Sequence, residues 1–161
     1  MMEHVEIYTD GGTRGNGNEN SIGGYGIYLK YIVNGKLIKE LEIKGGKINT
    51  TNNIMELNGA IEGLRAIKNK NIETHMYLDS KYVLQGIESW INNWKKNGWK
   101  TTNKKDVKNK ELWQQLDVEY NKFNNLILHW VKGHNNNEGN ERADRLANEY
   151  MDYLEKNIFN F

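Results

Sequence analysis

Four acidic residues stand in settings that suit them to shared chemistry. Asp10 closes the alternating run Val5-Glu6-Ile7-Tyr8-Thr9 and leads into Gly11-Gly12. Glu56 follows Thr50-Thr51-Asn52-Asn53-Ile54-Met55, where a helix begins. Asp79 ends the short apolar run Met76-Tyr77-Leu78, and Asp144 lies early in a helical stretch, Asn140-Glu141-Arg142-Ala143-Asp144-Arg145-Leu146-Ala147. Carboxylates that end strands, or open helices beside them, can converge at one end of a sheet. Brought close they repel unless cations neutralise them, and oxygen donors suit hard divalent metals. The chemistry expected of such a group is metal-dependent phosphoryl transfer. Each acid also has a structural alternative. Asp10 can open a turn, Glu56 can be the capping partner of Asn53, Asp79 can cap the helix after it, and Asp144 suits the positive end of a helix.

The elements that position these acids follow from periodicity. Alternation predicts strands at 4–10, 24–33 and 36–46, the last two joined by Asn34-Gly35, a strong hairpin signal. A helix is expected over 52–69, with Leu57, Ala60, Ile61, Leu64 and Ile67 on one stripe. A strand at 75–79, helical segments at 80–88, 90–97 and 109–123, a strand at 126–131 and a helix at 138–156 complete the chain. Strand–helix–strand connections imply parallel neighbours. The fold class expected is α/β, a mixed five-stranded sheet flanked by helices, with the strands at 4–10 and 75–79 as its parallel central pair. Asp10 and Asp79 then share the carboxyl end of that pair, where open α/β sheets place ligands.

A chain of 161 residues fits one domain, 1–161. It has no cysteine, hence neither disulfides nor thiolate metal sites. No long apolar run or basic-then-apolar leader is present, so a cytoplasmic location is expected. Net charge is only +1, but its distribution is uneven. Between Trp90 and Lys110 seven lysines (95, 96, 100, 104, 105, 108, 110) face the single Asp106, giving that segment +6 and the remainder −5. Such a segment is an electrostatic footprint for a polyanion, or else a solvated surface. Trp90, Trp94 and Trp99 interleave with the lysines. Trp90 and Trp113 read as core, and Trp99, between Gly98 and Lys100, as a surface contact.

Taken together the segments resemble ribonuclease H of type 1, the enzyme that cuts the RNA strand of an RNA–DNA hybrid. The resemblance rests on Tyr8-Thr9-Asp10-Gly11-Gly12, Gly23-Gly24-Tyr25-Gly26, Thr50 to Leu57, Asp79-Ser80-Lys81-Tyr82-Val83, Trp94-Lys95-Lys96-Asn97-Gly98-Trp99, Val107-Lys108-Asn109, Leu112-Trp113, and Trp130-Val131-Lys132-Gly133-His134 followed by Asn140 to Asp144. It implies a ribonuclease H-like fold and a two-metal mechanism leaving 5′-phosphate and 3′-hydroxyl ends. In it Asp10 bridges two Mg2+ ions, for which Mn2+ can substitute. Asp144 completes the ion that activates water, and Glu56 and Asp79 hold the ion on the leaving side. His134 assists proton transfer and product departure. Asn16, Asn52 and Asn53 match positions that contact the hybrid, where amides suit a 2′-hydroxyl. Thr51 and Asn109 match a pocket for a DNA-strand phosphate. Lys95, Lys96, Trp99 and Lys100 lie in a basic substrate-binding protrusion at about 90–110. The same residues also suit turns and caps.

The chain departs from the family pattern in a longer loop at 13–22 and in Asn49, which stands where many members carry a phosphate-pocket arginine. Lys47, two residues back, is expected to supply that charge. The implied protein is a monomer acting on the hybrid with little sequence preference. The alternatives are a DNA nuclease or strand transferase on the same fold, and a hybrid-binding module without catalysis.

Overall fold

Side-chain alternation and a two-residue turn build the first half of the sheet. The computed structural model describes residues 1–16, 18–132 and 137–158. Strand β1 (Glu3–Arg14) pairs antiparallel with β2 (Ile22–Val33), and β2 pairs antiparallel with β3 (Lys36–Ile48). Asn34 and Gly35 both take positive φ, 51° and 80°, as the expected tight hairpin requires. All three strands outrun their expected spans at the loop end. Pairing continues through Gly11↔Tyr25 and Gly12↔Gly24 to Arg14↔Ile22. Glycine conceals this in the sequence because it carries no alternating side chain, and Thr13, Arg14 and Ile22 of the 13–22 loop are therefore ladder.

Strand β4 (Thr74–Leu78) lies parallel to β1, and β5 (Leu126–Trp130) parallel to β4, giving the order β3-β2-β1-β4-β5. This is the mixed five-stranded sheet expected. Helix α1 (Asn52–Arg65) packs on β1 and β2 and carries α4 (Lys110–Asn121) behind it. The helix stops four residues short of its expected end. Ile67 still buries itself in the core from the following loop, which is why the apolar stripe reads as longer than the helix. The segments expected at 80–88 and 90–97 are α2 (Lys81–Gln85) and α3 (Ile91–Lys96), joined without a break by one π-helical turn at Gly86–Trp90.

Helix α5 (Glu138–Ile158) covers the other face over β1, β2 and β3. The main core lies on the α1 side, from Ile7, Ile27, Met76 and Leu78 of the sheet to Leu57, Ile61, Leu64, Val83, Trp113 and Leu116. Trp113 is fully buried, and Trp90 packs partly buried beside it.

Candidate active site

The register of the central pair sets two of the acids side by side. The last β1–β4 pair is Thr9↔Leu78, and Asp10 and Asp79 are the next residues of each strand. Beyond that pair β1 keeps its ladder with β2, so Asp10 is held by continuing strand on one side while its β4 side opens. Glu56 enters from the first turns of α1, whose Thr51 caps the helix by accepting from Ile54 N at 3.2 Å. The capping role suggested for Glu56 is therefore Thr51's. Ligand oxygens of Asp10, Glu56 and Asp79 all lie within 4.8 Å of one another.

Two glycines make this approach possible. A methyl group added to Gly11 would stand 2.6 Å from Glu56 N, and one added to Gly26 would stand 2.0 Å from the Ala143 carbonyl oxygen. Neither distance admits a Cβ. Gly26 is the β2 residue paired with Asp10, so the gap that seats α5 lies beside the first acid and brings Asp144, next to Ala143, into hydrogen-bond contact with it. Asn137 Oδ1 accepts from Asn140 N at 2.9 Å at the start of α5, which places Asp144 in the second turn.

The backbone N–H of Gly11 is shared. It donates to Asp10 Oδ1 at 2.9 Å and also to Glu56 Oε1. Ser80 gives Glu56 a further hydrogen bond. These donors do not neutralise the group. Burial first, then the charges of Glu56 and Asp79, push the Asp10 carboxyl far above the usual carboxylate range. Burial and then Asp79 also raise Glu56, against the bonds from Asp10, Gly11 and Ser80. A buried all-oxygen donor set whose acids resist ionising together fits a hard divalent cation. Gly11, Gly26 and Ser80 stand within the quoted motifs, but the sequence assigns them none of these roles. Ser80 was signalled only by its adjacency to Asp79, and the glycine gaps are tertiary facts.

The predicted substrate contacts divide. Asn16 Oδ1 accepts from Asn52 N at 2.9 Å, and Thr13 Oγ1 donates to Asn52 Oδ1 at 2.7 Å. Asn16, Thr51 and Asn52 thus finish the start of α1 and sit with exposed Asn53 on the lip beside Glu56. Asn109 opens α4 at φ 60°, and its amide donates to Tyr82 Oη at 3.2 Å. Lys95 pairs with Asp117 at 2.8 Å, and Lys100 with Asp106, both lysine side chains being exposed. Lys96, Lys104, Lys105 and Lys108 form no ion pair among the described residues. Trp99 differs from its reading as a free surface contact: it is half-buried, with its ring centre 5.9 Å from that of Trp94. Asn49 is not on the strand with Lys47. It lies past the end of β3 at φ 55°, and its side chain accepts from Asn20 N at 2.7 Å, which pins the loop. His134 lies outside the described residues.

Known proteins share this arrangement. A family model described as RNase H matches residues 2–152. Ribonuclease H of Ruthia magnifica is 52% identical over 153 residues, covering 95% of this chain and 99% of its own. Ribonuclease H of Clostridium botulinum strain Hall is 51% identical over 152 residues, covering 94% and 97%. Among solved structures, LC9-RNase H1, described as a type 1 RNase H with the type 2 active-site motif, superposes with a TM-score of 0.83 at 29% identity, covering 95% of this chain and 74% of that one. A ribonuclease H-like sheet with acids at the carboxyl end of its central strands defines a metal-dependent nuclease. The chain belongs to the ribonuclease H family, on the type 1 bacterial side. Its activity is endonucleolytic hydrolysis of the RNA strand of RNA–DNA hybrids.

Proposed function

We propose that Asp10, Glu56, Asp79 and Asp144 hold two Mg2+ ions, replaceable by Mn2+, and that cleavage leaves 5′-phosphate and 3′-hydroxyl ends. The observation that carries this is the convergence of the Asp10, Glu56 and Asp79 oxygens within 4.8 Å, with Asp144 against Asp10. Asp10 touches both groups of acids, which suits it to serve both ions, with Asp144 on the water side and Glu56 and Asp79 on the leaving side. When bound, the ions supply a nucleophile from water and stabilise the entering and leaving oxygens of an in-line displacement. The chain's own part is positional. The shared Gly11 N–H fixes the Asp10 and Glu56 carboxylates relative to each other, and the α5 seat on Gly26 sets Asp144 against Asp10. His134 serves proton transfer and product departure. One chain supplies all four acids, so a monomer suffices.

The substrate lies across the acidic end with its RNA strand over Asp10. Asn16, Asn52 and Asn53 on the lip face ribose 2′-hydroxyls, and Thr51 and Asn109 receive a DNA-strand phosphate. Lys96, Lys104, Lys105 and Lys108 hold the backbone electrostatically, Lys95 and Lys100 joining after exchanging their aspartates for phosphate, beside Trp99. The test is cleavage of labelled hybrid, RNA duplex and DNA duplex with Mg2+ or chelator, alongside Asp10→Asn. Cutting confined to the hybrid's RNA strand, and abolished by chelator and by the variant, supports the reading. Cutting of DNA duplex supports a DNA nuclease, and tight hybrid binding without cutting supports a binding module.

A further inference from the structure

Beyond the cover of α5, strands β4 and β5 present a second group of titratable side chains, remote from the acids. His75 and His129 come from neighbouring parallel strands, His129 being paired with Tyr77. His75 Nδ1 and His129 Nε2 are 2.8 Å apart, and Glu73 Oε2 lies 2.9 Å from His75 Nε2. The His75 side chain is 20% exposed and neighbouring Ile127 38% exposed, so the group is reachable from solvent. The strand rise places it about 13 Å along β4 from Asp79.

We propose that His75 and His129 form a site for an imidazole-preferring divalent transition metal, Cu2+ foremost, independent of the acidic cluster. The separation of the two nitrogens is close to the ~2.9 Å between cis ligands each about 2.05 Å from a metal. Glu73 supplies a second, separate observation. An ionised carboxylate only accepts, so His75 Nε2 carries a proton, and in the neutral ring Nδ1 is then the nitrogen that presents a lone pair. A carboxylate behind a histidine that ligates through its other nitrogen is the usual way proteins orient a metal-binding imidazole.

In the metal-free pair the Nε2–H of His129 donates to His75 Nδ1. Occupation moves that proton to His129 Nδ1 and turns the rings so that both lone pairs meet one cation. The proton only changes nitrogen, so no net proton is released. Burial, then the neighbouring His75, holds His129 below the ordinary histidine pKa, so the neutral ring prevails at neutral pH. Tyr77 stacks on His129, ring centres 4.6 Å apart, and supports that ring from behind. His4 stands nearby, its ring centre 5.6 Å from that of His75 in an edge-on arrangement, with its Nε2 held by Glu6 at 2.8 Å. Imidazole nitrogens favour Cu2+ and Zn2+ over the hard Mg2+, whereas an all-oxygen carboxylate set suits Mg2+, so the two sites differ in donor type.

The test titrates Cu2+ into the full-length protein under saturating Mg2+, read by calorimetry and electron paramagnetic resonance. The expected result is one strong Cu2+ with splitting from two nitrogens, present in the wild type and in Asp10→Asn. His75→Gln and His129→Gln each abolish it, and Glu73→Gln weakens it about tenfold. Wild-type melting curves and Mg2+-dependent hybrid cleavage in these variants establish that they are folded. Copper binding that survives both histidine substitutions, that vanishes only with His4→Gln or His134→Gln, or that shows oxygen ligation alone overturns the proposal.

Discussion

The acidic end and the lysine–tryptophan segment, which we propose engage the same substrate, are built in opposite ways. The acids come from β1, α1, the end of β4 and α5, and approaches too close for a Cβ lock those elements together. The segment from α3 to α4 is held by the ring contacts of Trp113, Trp94 and Trp99, by buried Val107 and by a single β-bridge between Lys100 and Asp106, and Trp99, Lys104 and Asn109 all take left-handed φ. Chemistry at the first site needs carboxylates fixed to within a fraction of an ångström. Grip at the second needs charge near a backbone, which tolerates a looser mount.

The largest effect expected is on Asp10. Asp10→Asn lowers kcat on hybrid on the order of 10³-fold or more, measured at saturating Mg2+. The same substitution makes the metal-free protein more stable, by about 2 kcal/mol at neutral pH. The sign follows from the carboxyl's folded pKa lying above its unfolded value. Such a group costs stability once pH exceeds the unfolded pKa, and the cost fades as pH falls towards it. Melting curves in chelator, from neutral pH down to the ordinary carboxylate range, show the gap between variant and wild type closing; a constant gap removes the electrostatic account. Next is Gly26→Val, which pushes α5 off β2. It lowers kcat by about 10²-fold and stability by about 1–3 kcal/mol, separable by activity and denaturant melts. If kcat holds while stability drops, the seat of α5 does not position Asp144.

On the loose side, replacing Lys96, Lys104, Lys105 and Lys108 together by Ala leaves kcat near wild type and raises KM. The salt dependence of hybrid binding flattens by about one unit of slope for each phosphate that a lysine no longer neutralises. A fall in kcat instead would mean that the two regions are mechanically coupled. The smallest effect is Lys47→Ala, with a slope change of about one unit if this lysine meets a phosphate. An unchanged slope leaves Asn49 as a loop pin with no charged substitute nearby.

Strand ends made Asp10 and Asp79 legible, because period-two alternation stops where the sheet opens, and the helix stripe made Glu56 legible. Connection rules imply parallel neighbours and the central β1–β4 pair, since helices between strands force parallel pairing, but the full order β3-β2-β1-β4-β5 is visible only in the structure. Close approaches were not legible: nothing local in Gly23-Gly24-Tyr25-Gly26 says that a helix carbonyl lies over Gly26. Pairing between distant elements was hidden too. Lys95 gives up its free charge to Asp117 of α4, and His75 meets His129 only after β4 and β5 align. Helix ends erred where tertiary burial continued a pattern the backbone had abandoned, as at Ile67.

The Gly11 amide bonds Glu56, 45 positions along the chain, and Asp144 reaches Asp10 across 134 positions. Contacts of such sequence separation close slowly, because loop entropy must be spent before they form. A nascent chain still short of α5 can assemble the meander and α1 and yet have no complete acid set. Completion of the acid set therefore waits for α5, and the onset of hybrid cleavage during refolding is expected to mark the arrival of that helix.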